Sequence, residues 1–412
     1  MEEKIILFNN ESECCGCGGC IDICPKSAII MKENEYGFNY PIIDYSICIS
    51  CGLCKKICAF QNNIDKNKVK KSYVTVSKED KILNISSSGG IFGTLANEIL
   101  EKSGLVCGCS MEKNFYPKHV IIDKKGDLTK LQGSKYVQSE TIGIFKKIKE
   151  QLIVGKEILF SGTPCQVAEL KYFLGKEYSN LYTVEIICHG VPSIKFFQDY
   201  VKILENKLDG KIFNFLFRDK KLGWGLVGRI KYKNIKKHIK EKIIYEKLSS
   251  YYSFFKDGSI YRQSCYSCKY ATCERVGDIT IGDFWGIQKE HPNYLIENGG
   301  NINDRKGVSC LLVNTSQGQQ LLKRYGKNIL FKDSEFLKIA KHNEQLNKPT
   351  SKEFYNKKIF EIYKKDGYPG VEKWFNKKLG IKKYFYIIFY NFPLRLRKVI
   401  KHLLQTTVKW CH

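Results

Sequence analysis

Two runs of four cysteines, each spaced C-x2-C-x2-C-x3-C, constrain this chain more than any other feature. The first is Cys14, Cys17, Cys20 and Cys24, followed by Pro25; the second is Cys48, Cys51, Cys54 and Cys58. Nine of the eighteen cysteines fall in the first 58 residues, so they are not spread like a disulfide framework. Met1 to Asn10 lacks the basic start, apolar stretch and small-residue cleavage site of a secretory signal. The expected location is therefore cytoplasmic, where thiols stay reduced and disulfides are rare. Metal or redox chemistry is the better reading.

The spacing selects among metals. Zinc favours paired C-x2-C knuckles separated by a longer loop. Two triple-cysteine runs with distant fourth cysteines instead match the two-cluster bacterial ferredoxin pattern. Three thiols at steps of three wrap one 4Fe-4S cubane, and the fourth points to the other cubane. Cys14, Cys17, Cys20 and Cys58 are thus one expected ligand set, and Cys48, Cys51, Cys54 and Cys24 the second. Gly16, Gly18, Gly19 and Gly52 let the loops close. Cys15 is left over.

A polar stretch at 61–72 reads as a linker. Beyond it, strands and helices alternate. Glu157–Phe160 and Leu181–Ile187 read as strands, each followed by a turn and then a helix, Cys165–Leu174 and Ile194–Leu208. Such alternation predicts an α/β body with a mixed, partly parallel sheet. Cys165 and Cys188 occupy matching turns at strand ends, where open α/β sheets bind ligands. With Cys265 and Cys268 they form a candidate third cluster; the alternative is buried free cysteine. Ser86–Ser88 offer a helix N-cap, and Gly89 and Gly90 offer backbone N–H groups to an anion, unless this is an ordinary capped helix. His189 is a candidate proton donor or a turn residue, and Asp283 orients a ligand or caps a strand.

Six motifs occur in order: Ser87–Gly90, Lys135–Ser139, Phe160–Gln166, Cys188–Ser193, Cys265–Cys268 and Asp278–Gly286. Together they resemble the coenzyme F420 hydrogenase/dehydrogenase beta-subunit family with a fused N-terminal ferredoxin domain, over roughly residues 1–325. The resemblance implies a flavoprotein that binds FAD beside a 4Fe-4S cluster. It implies Cys165, Cys188, Cys265 and Cys268 as ligands of that cluster, with Cys273 as a less fitting alternate. It implies Ser88, Gly89, Gly90, Lys135, Tyr136, Ser139, Gly162, Thr163 and Gln166 as flavin contacts. Electrons would come from a donor such as ferredoxin and leave to a two-electron acceptor, coenzyme F420 or another small organic substrate. A non-catalytic electron-transfer subunit serving a partner enzyme is the competing function.

The formal charge is +26, from 68 basic and 42 acidic residues, which suits an acidic redox partner. Only eight basic residues are Arg, the preferred residue for phosphate and base recognition, so nucleic-acid binding is disfavoured. The expected organisation is a ferredoxin-like module at 1–60, the linker, body segments at 73–155 and 156–332, and a basic, helical, aromatic tail at 333–412. In the tail, Arg395, Arg397, Lys398 and Lys401 alternate with Leu396, Val399, Ile400, Leu403 and Leu404. That pattern fits an interfacial helix on anionic lipid, or a helix docked on protein.

Overall fold

Glycine opens both short helices of the cysteine-rich unit. Gly18 (φ 80°) precedes Gly19–Ile23 and Gly52 (φ 72°) precedes Leu53–Lys56, a left-handed conformation that a Cβ would strain. Between the two, strands β1 (Ile29–Glu33) and β2 (Asn39–Ile43) pair antiparallel. The fold is taken from a computed structural model that describes residues 4–352, 355–393, 396, 397 and 400.

The body is organised around eight strands. They are β3 (Lys71–Ser77), β4 (Leu105–Glu112), β5 (Tyr116–Ile122), β6 (Ile158–Gly162) and β7 (Leu181–Ile186), and, later in the chain, three more. A smaller antiparallel sheet intervenes, made of β8 (Gly210–Leu216), β9 (Val227–Asn234) and β10 (Ile239–Tyr245). Then β11 (Ile279–Asp283), β12 (Ser309–Val313) and β13 (Ile329–Ser334) complete the large sheet, in the order β13-β3-β12-β11-β7-β6-β4-β5. The pairs β11–β7, β7–β6 and β6–β4 are parallel and the others antiparallel. The central strands are apolar because both faces are covered. Ile158, Phe160 and Leu181 pack on one face with Phe145, Ile148, Val167 and Leu170. Leu159, Tyr182 and Val184 pack on the other with Ile91, Leu95, Ile99 and Leu321.

The architecture is an α+β ferredoxin-like module followed by an α/β body with a mixed, partly parallel sheet and a helical C-terminal segment. Strands β3, β11, β7, β6 and β4 all end at one edge of the large sheet, because β3 and β11 both run antiparallel to β12. That edge carries the turns at 86–90, 163–165, 188–193 and 284–286, and the ferredoxin-like module sits against it.

Two expectations about organisation need correction. The stretch at 61–72 is not a loose tether: Asn67 and Arg275 exchange backbone hydrogen bonds of 2.7 and 2.8 Å, and Lys71 and Ser72 already belong to β3. Its polar side chains face outward while its backbone is pinned to the body. The segment after 333 is not a mere tail either. Helix Asn356–Leu379, broken at Gly367 (φ 63°) ahead of Pro369, buries Ile359, Phe360, Tyr363, Tyr368, Val371 and Phe375 in one core with Phe38 and Tyr40 of the module. Its basic residues disguised a core face. Strands β10 and β13 were not foreseen; both are edge strands whose charged residues mask the alternation. Helix Lys382–Asn391 leaves Ile381, Tyr384, Phe385 and Ile388 exposed near its start and middle and stacks Tyr390 on Tyr245 at 3.9 Å. The expected lipid-facing residues Arg395, Lys398, Val399, Lys401, Leu403 and Leu404 lie outside the described residues. Among the described residues, no helix is long and apolar enough to cross a membrane.

Candidate functional site

The module gathers its thiols around two hollows. Cys24, Cys48, Cys51 and Cys54 line one of about 360 Å³, with Ile49 and Leu53. Cys14, Cys17, Cys20 and Cys58 line the other, about 390 Å³, together with Cys15, Cys54 and the body residue Glu169. Each hollow thus collects three cysteines of one run and the fourth of the other. The first opens to solvent: Cys51 is exposed, and Ile47 and Ile49 beside it are 48% and 54% exposed. The second faces the body.

The body contributes a third set. Cys165 is the second residue of helix Pro164–Leu174, whose start is held by a capping box between Thr163 and Gln166. Cys188 follows β7. Cys265 ends a 3-10 turn, and Cys268 lies three residues on. The side chains converge, since Cys265 interacts electrostatically with Cys188, Cys268 and Cys165. Burial and then mutual repulsion raise the Cys188 and Cys265 thiols, and Cys268 is pushed up to about 11. All four keep some accessible surface, as side chains lining a recess do. Cys273 is exposed and stands apart.

A buried ion pair fastens this loop. Arg275 Nε donates to Glu185 on β7, and Arg275 Nη1 donates to the carbonyls of Tyr270 (3.1 Å) and Thr272 (3.0 Å). Glu185 also accepts from Thr280 Oγ1 (2.7 Å), Gly277 N (3.0 Å) and Val276 N (3.3 Å). Both side chains are essentially inaccessible, at 1% and 0%.

The module and the body meet between the second and third sets. The Cys15 thiol is in hydrogen-bond contact with both Cys17 and Cys165. Gln138 Nε2 donates to the Cys15 carbonyl (2.9 Å), Thr141 Oγ1 to the Cys17 carbonyl, and Gly143 N to Asp22 Oδ1 (2.7 Å). Glu169 accepts from Ala59 N at 2.9 Å, and burial pushes its carboxyl up to about 7. Its other oxygen, Oε1, is buried without a partner, and a Cβ on Gly19 would overlap it. Glycine is therefore required there for the helix and the module to touch.

Around the same sheet edge lies a cationic cleft. Arg218 Nη1 donates to Asp283 Oδ2 (2.5 Å) and reaches Tyr136 Oη (3.5 Å), while its Nη2 is buried with no partner. Trp224 Nε1 donates to Asp283 Oδ1 (2.8 Å), and its ring stacks on Trp285 at 4.8 Å. Lys220 Nζ donates to the carbonyls of Leu83 (2.8 Å) and Ser88. Burial, then the nearby Arg218 charge, lowers Lys220 to about 7. His189 is exposed, and Asp283 acts on it electrostatically.

Residues 155–335 match the family described as the C terminus of the coenzyme F420 hydrogenase/dehydrogenase beta subunit, and residues 13–62 match a 4Fe-4S dicluster domain. The chain belongs to the coenzyme F420 hydrogenase/dehydrogenase beta-subunit family. It is 23% identical over 178 residues to the F component of the F(420)H(2) dehydrogenase of Methanosarcina mazei, covering 40% of this chain and 50% of that protein. It therefore spans about half the length of that curated relative. An uncharacterized ferredoxin of Methanocaldococcus jannaschii is 37% identical over 58 residues, 14% of this chain and 71% of the ferredoxin. Among solved structures, the F420-reducing NiFe hydrogenase complex from Methanosarcina barkeri matches at 16% identity and a TM-score of 0.42, covering 72% of this chain and 93% of that one.

In this beta-subunit homologue the residues expected to hold flavin divide into separate groups. Ser139, Gly162, Thr163 and Gln166 surround Cys165: Gln166 Nε2 donates to Ser139 Oγ (3.0 Å), and Thr163 Oγ1 lies 3.1 Å from Cys165 Sγ. Ser88, Gly89 and Gly90 lie beside Lys220 and β12. The serines do not cap the following helix: Ser86 Oγ donates to Ile82 O, Ser88 Oγ to Val308 O, and Ser87 Oγ accepts from Ser134 N. Gly90 is the N-cap of Ile91–Glu101, without a side-chain cap. Lys135 Nζ is held by the carbonyls of Lys130 and Gln132, at 3.1 and 3.0 Å. Tyr136 stacks on Phe255 at 4.4 Å with its hydroxyl toward Arg218. Sequence reasoning missed Gln138, Glu169, Arg218, Lys220, Trp224, Arg262 and Arg275. A signal was present: in a chain with eight arginines, three (Arg218, Arg262 and Arg275) serve this region.

Proposed function

We propose that this protein is an iron–sulfur flavoprotein oxidoreductase. It takes electrons from a low-potential donor such as ferredoxin and delivers them to a two-electron acceptor, either the deazaflavin coenzyme F420 or another small organic molecule. Cys24, Cys48, Cys51 and Cys54 hold one 4Fe-4S centre, Cys14, Cys17, Cys20 and Cys58 a second, and Cys165, Cys188, Cys265 and Cys268 a third. Such centres supply one-electron transfer, and FAD supplies hydride chemistry. The observation that carries the reading is the Cys15 thiol in contact with both Cys17 and Cys165. It makes the second and third thiol sets neighbours, while the first set lies at the surface. The fit to metal is chemical: crowded thiols that resist ionisation are relieved when they coordinate positive iron. Among the described residues, no group of three or more His, Cys, Asp or Glu side chains forms a site for a single metal ion. A cubane spreads its thiolates over four irons, so thiols around a hollow suit it better.

The flavin reading rests on the cationic cleft. Arg218 Nη2, buried and unpartnered, is a donor waiting for an acceptor, and Lys220 lies beside Ser88. These two, with Ser88 and Gly90, are the residues to hold the FAD phosphates, in place of Lys135. Tyr136, Trp224 and Trp285 supply ring faces, and Ser139, Gly162, Thr163 and Gln166 orient the Cys165 turn. The relative from the F(420)H(2) dehydrogenase supports an F420-linked reaction. Exposed Lys26, Lys55 and Lys56 around the Cys51 hollow suit an acidic donor protein. The exposed apolar residues Ile381, Tyr384, Phe385 and Ile388, next to Lys382 and Lys383, support a peripheral contact with anionic membrane, which liposome flotation tests.

Anaerobic purification followed by iron, acid-labile sulfide and flavin analysis tests the reading. About twelve irons and one FAD per chain are expected. A second reading, an electron-transfer subunit without flavin, is favoured by one observation: the Gly89 N–H and the Lys135 ammonium are already engaged within the chain. About eight irons and no flavin would establish it and sink the first.

A further inference from the structure

Arg262 is wholly buried, and every group it touches is formally neutral. Its Nε donates to the Cys14 carbonyl (2.8 Å), Nη2 to the Asn39 carbonyl (2.9 Å) and Nη1 to Gln138 Oε1 (3.2 Å). Nη2 also reaches Cys14 Sγ at 3.8 Å. The guanidinium lies 3.9 Å from the centre of the Tyr40 ring. A Cβ on Gly16 would come within 2.8 Å of it, so the first cysteine loop is built to let it in. Among the described residues, no carboxylate forms an ion pair with Arg262, whereas Arg218 has Asp283, Arg229 has Asp219 and Arg275 has Glu185. A guanidinium does not deprotonate in a protein, and burying it without an anion is costly. The ionisable groups around it are Cys14, Tyr40, Cys15 and Cys265, from both sides of the module–body boundary.

We propose that Arg262 is the built-in counter-ion of the Cys14/Cys17/Cys20/Cys58 centre and of the neighbouring Cys165/Cys188/Cys265/Cys268 centre, and that it raises their reduction potentials. The inference rests on the cluster assignment proposed above. A 4Fe-4S core with four thiolates carries a charge of about −2 when oxidised and about −3 after accepting one electron. A fixed positive charge therefore stabilises the reduced form more. The guanidinium keeps its proton throughout, and the electron comes from the external reductant. Cation–π contact with Tyr40 and three neutral acceptors hold the fork in place, so the charge costs no reorganisation when the electron arrives. The exposed Cys24/Cys48/Cys51/Cys54 centre makes no contact with Arg262 and serves as an internal reference.

The test is an EPR-monitored redox titration with dithionite on the full-length, iron-loaded protein and its Arg262→Gln and Arg262→Lys variants, with iron counted in each. In Arg262→Gln the midpoint of the Cys14 centre should fall by at least a tenfold change in the equilibrium constant, which is about 59 mV for one electron. Arg262→Lys should stay within about threefold of wild type, and the exposed centre should not move. An unchanged midpoint in Arg262→Gln overturns the proposal. Should Arg262→Gln fail to hold its irons, Arg262→Lys decides: a near-wild-type midpoint with irons retained upholds the role of charge, and a tenfold fall with irons retained overturns it. A wild-type protein lacking iron at the Cys14 set would sink the cluster assignment itself, and the iron count tells that failure apart.

Discussion

Breaking the Glu185–Arg275 pair should both destabilise the protein and empty the third thiol set. Removing one partner of a buried ion pair costs about 3–5 kcal/mol, because the survivor stays charged and dry. The two sides are not equal here. After Arg275→Met, the Glu185 carboxylate keeps three donors, Thr280 Oγ1, Gly277 N and Val276 N. After Glu185→Gln, the guanidinium keeps two carbonyls and an amide oxygen but loses its counter-charge. Both substitutions should therefore lie near the lower end, about 3 kcal/mol each. Removing both leaves no stranded charge, so the double variant should cost about 3 kcal/mol rather than about 6, a coupling of about 3 kcal/mol. Anaerobic urea titration followed by tryptophan fluorescence measures the cycle. Arg275 also ties the loop that follows Cys268, so each single variant should drop from about twelve irons toward eight while the module keeps its own. Single variants as stable and as iron-rich as wild type, or a double variant costing the sum of the two, would refute the reasoning.

Three further outcomes are expected. Phe360→Ala should cost about 3–5 kcal/mol in thermal or urea unfolding, because Phe360 is buried between the C-terminal helix and Tyr36 and Phe38 of the module. Lys55→Glu combined with Lys56→Glu should slow reduction by an acidic ferredoxin roughly tenfold at low salt, with the difference vanishing at high salt, and should leave reduction by a neutral small-molecule reductant unchanged in stopped-flow traces. Lys220 titrates near 7 in the fold, below its unfolded value, so stability is full at high pH and is lost as pH falls from 10.5 through about 7. The bound FAD phosphates need its charged form, so FAD affinity measured by fluorescence should weaken as pH rises past 7, and Lys220→Met should flatten that profile.

Much of this arrangement is written in local spacing, and that part was legible. The helix Ile194–Leu208 has the bounds its periodicity predicts, and strands β6 and β7 differ from the expected segments by one or two residues. Both depend on contacts between near neighbours, which spacing encodes. The grouping of Cys165, Cys188, Cys265 and Cys268 came from motif order. What spacing does not encode is which outward-looking charge turns inward. Arg262, Arg275 and Glu185 are polar in any scale, and only the docking of the module onto the sheet edge buries them. The same docking gives Lys135 to backbone carbonyls and leaves Lys220 beside Ser88, reversing the lysine assigned to phosphate. Likewise the lysines of 356–379 concealed six core positions on the opposite side of that helix.

These long-range contacts explain why module and body act as one object. Arg262 joins the body to the first cysteine run. Three residues later, Cys265 enters the third thiol set, and Arg275 then anchors the end of the same loop to β7. A single segment of about fifteen residues therefore holds two thiol sets in register, with a buried arginine near each end. Loosening either arginine frees the loop at one end while the other still holds. The two lesions should consequently differ in kind: loss of the Arg275 tie removes irons from the third set alone, whereas loss of Arg262 changes the energy of electrons on centres that remain in place. Observing iron loss without a potential shift in one variant, and a potential shift without iron loss in the other, is the signature that separates a structural tie from an electrostatic one.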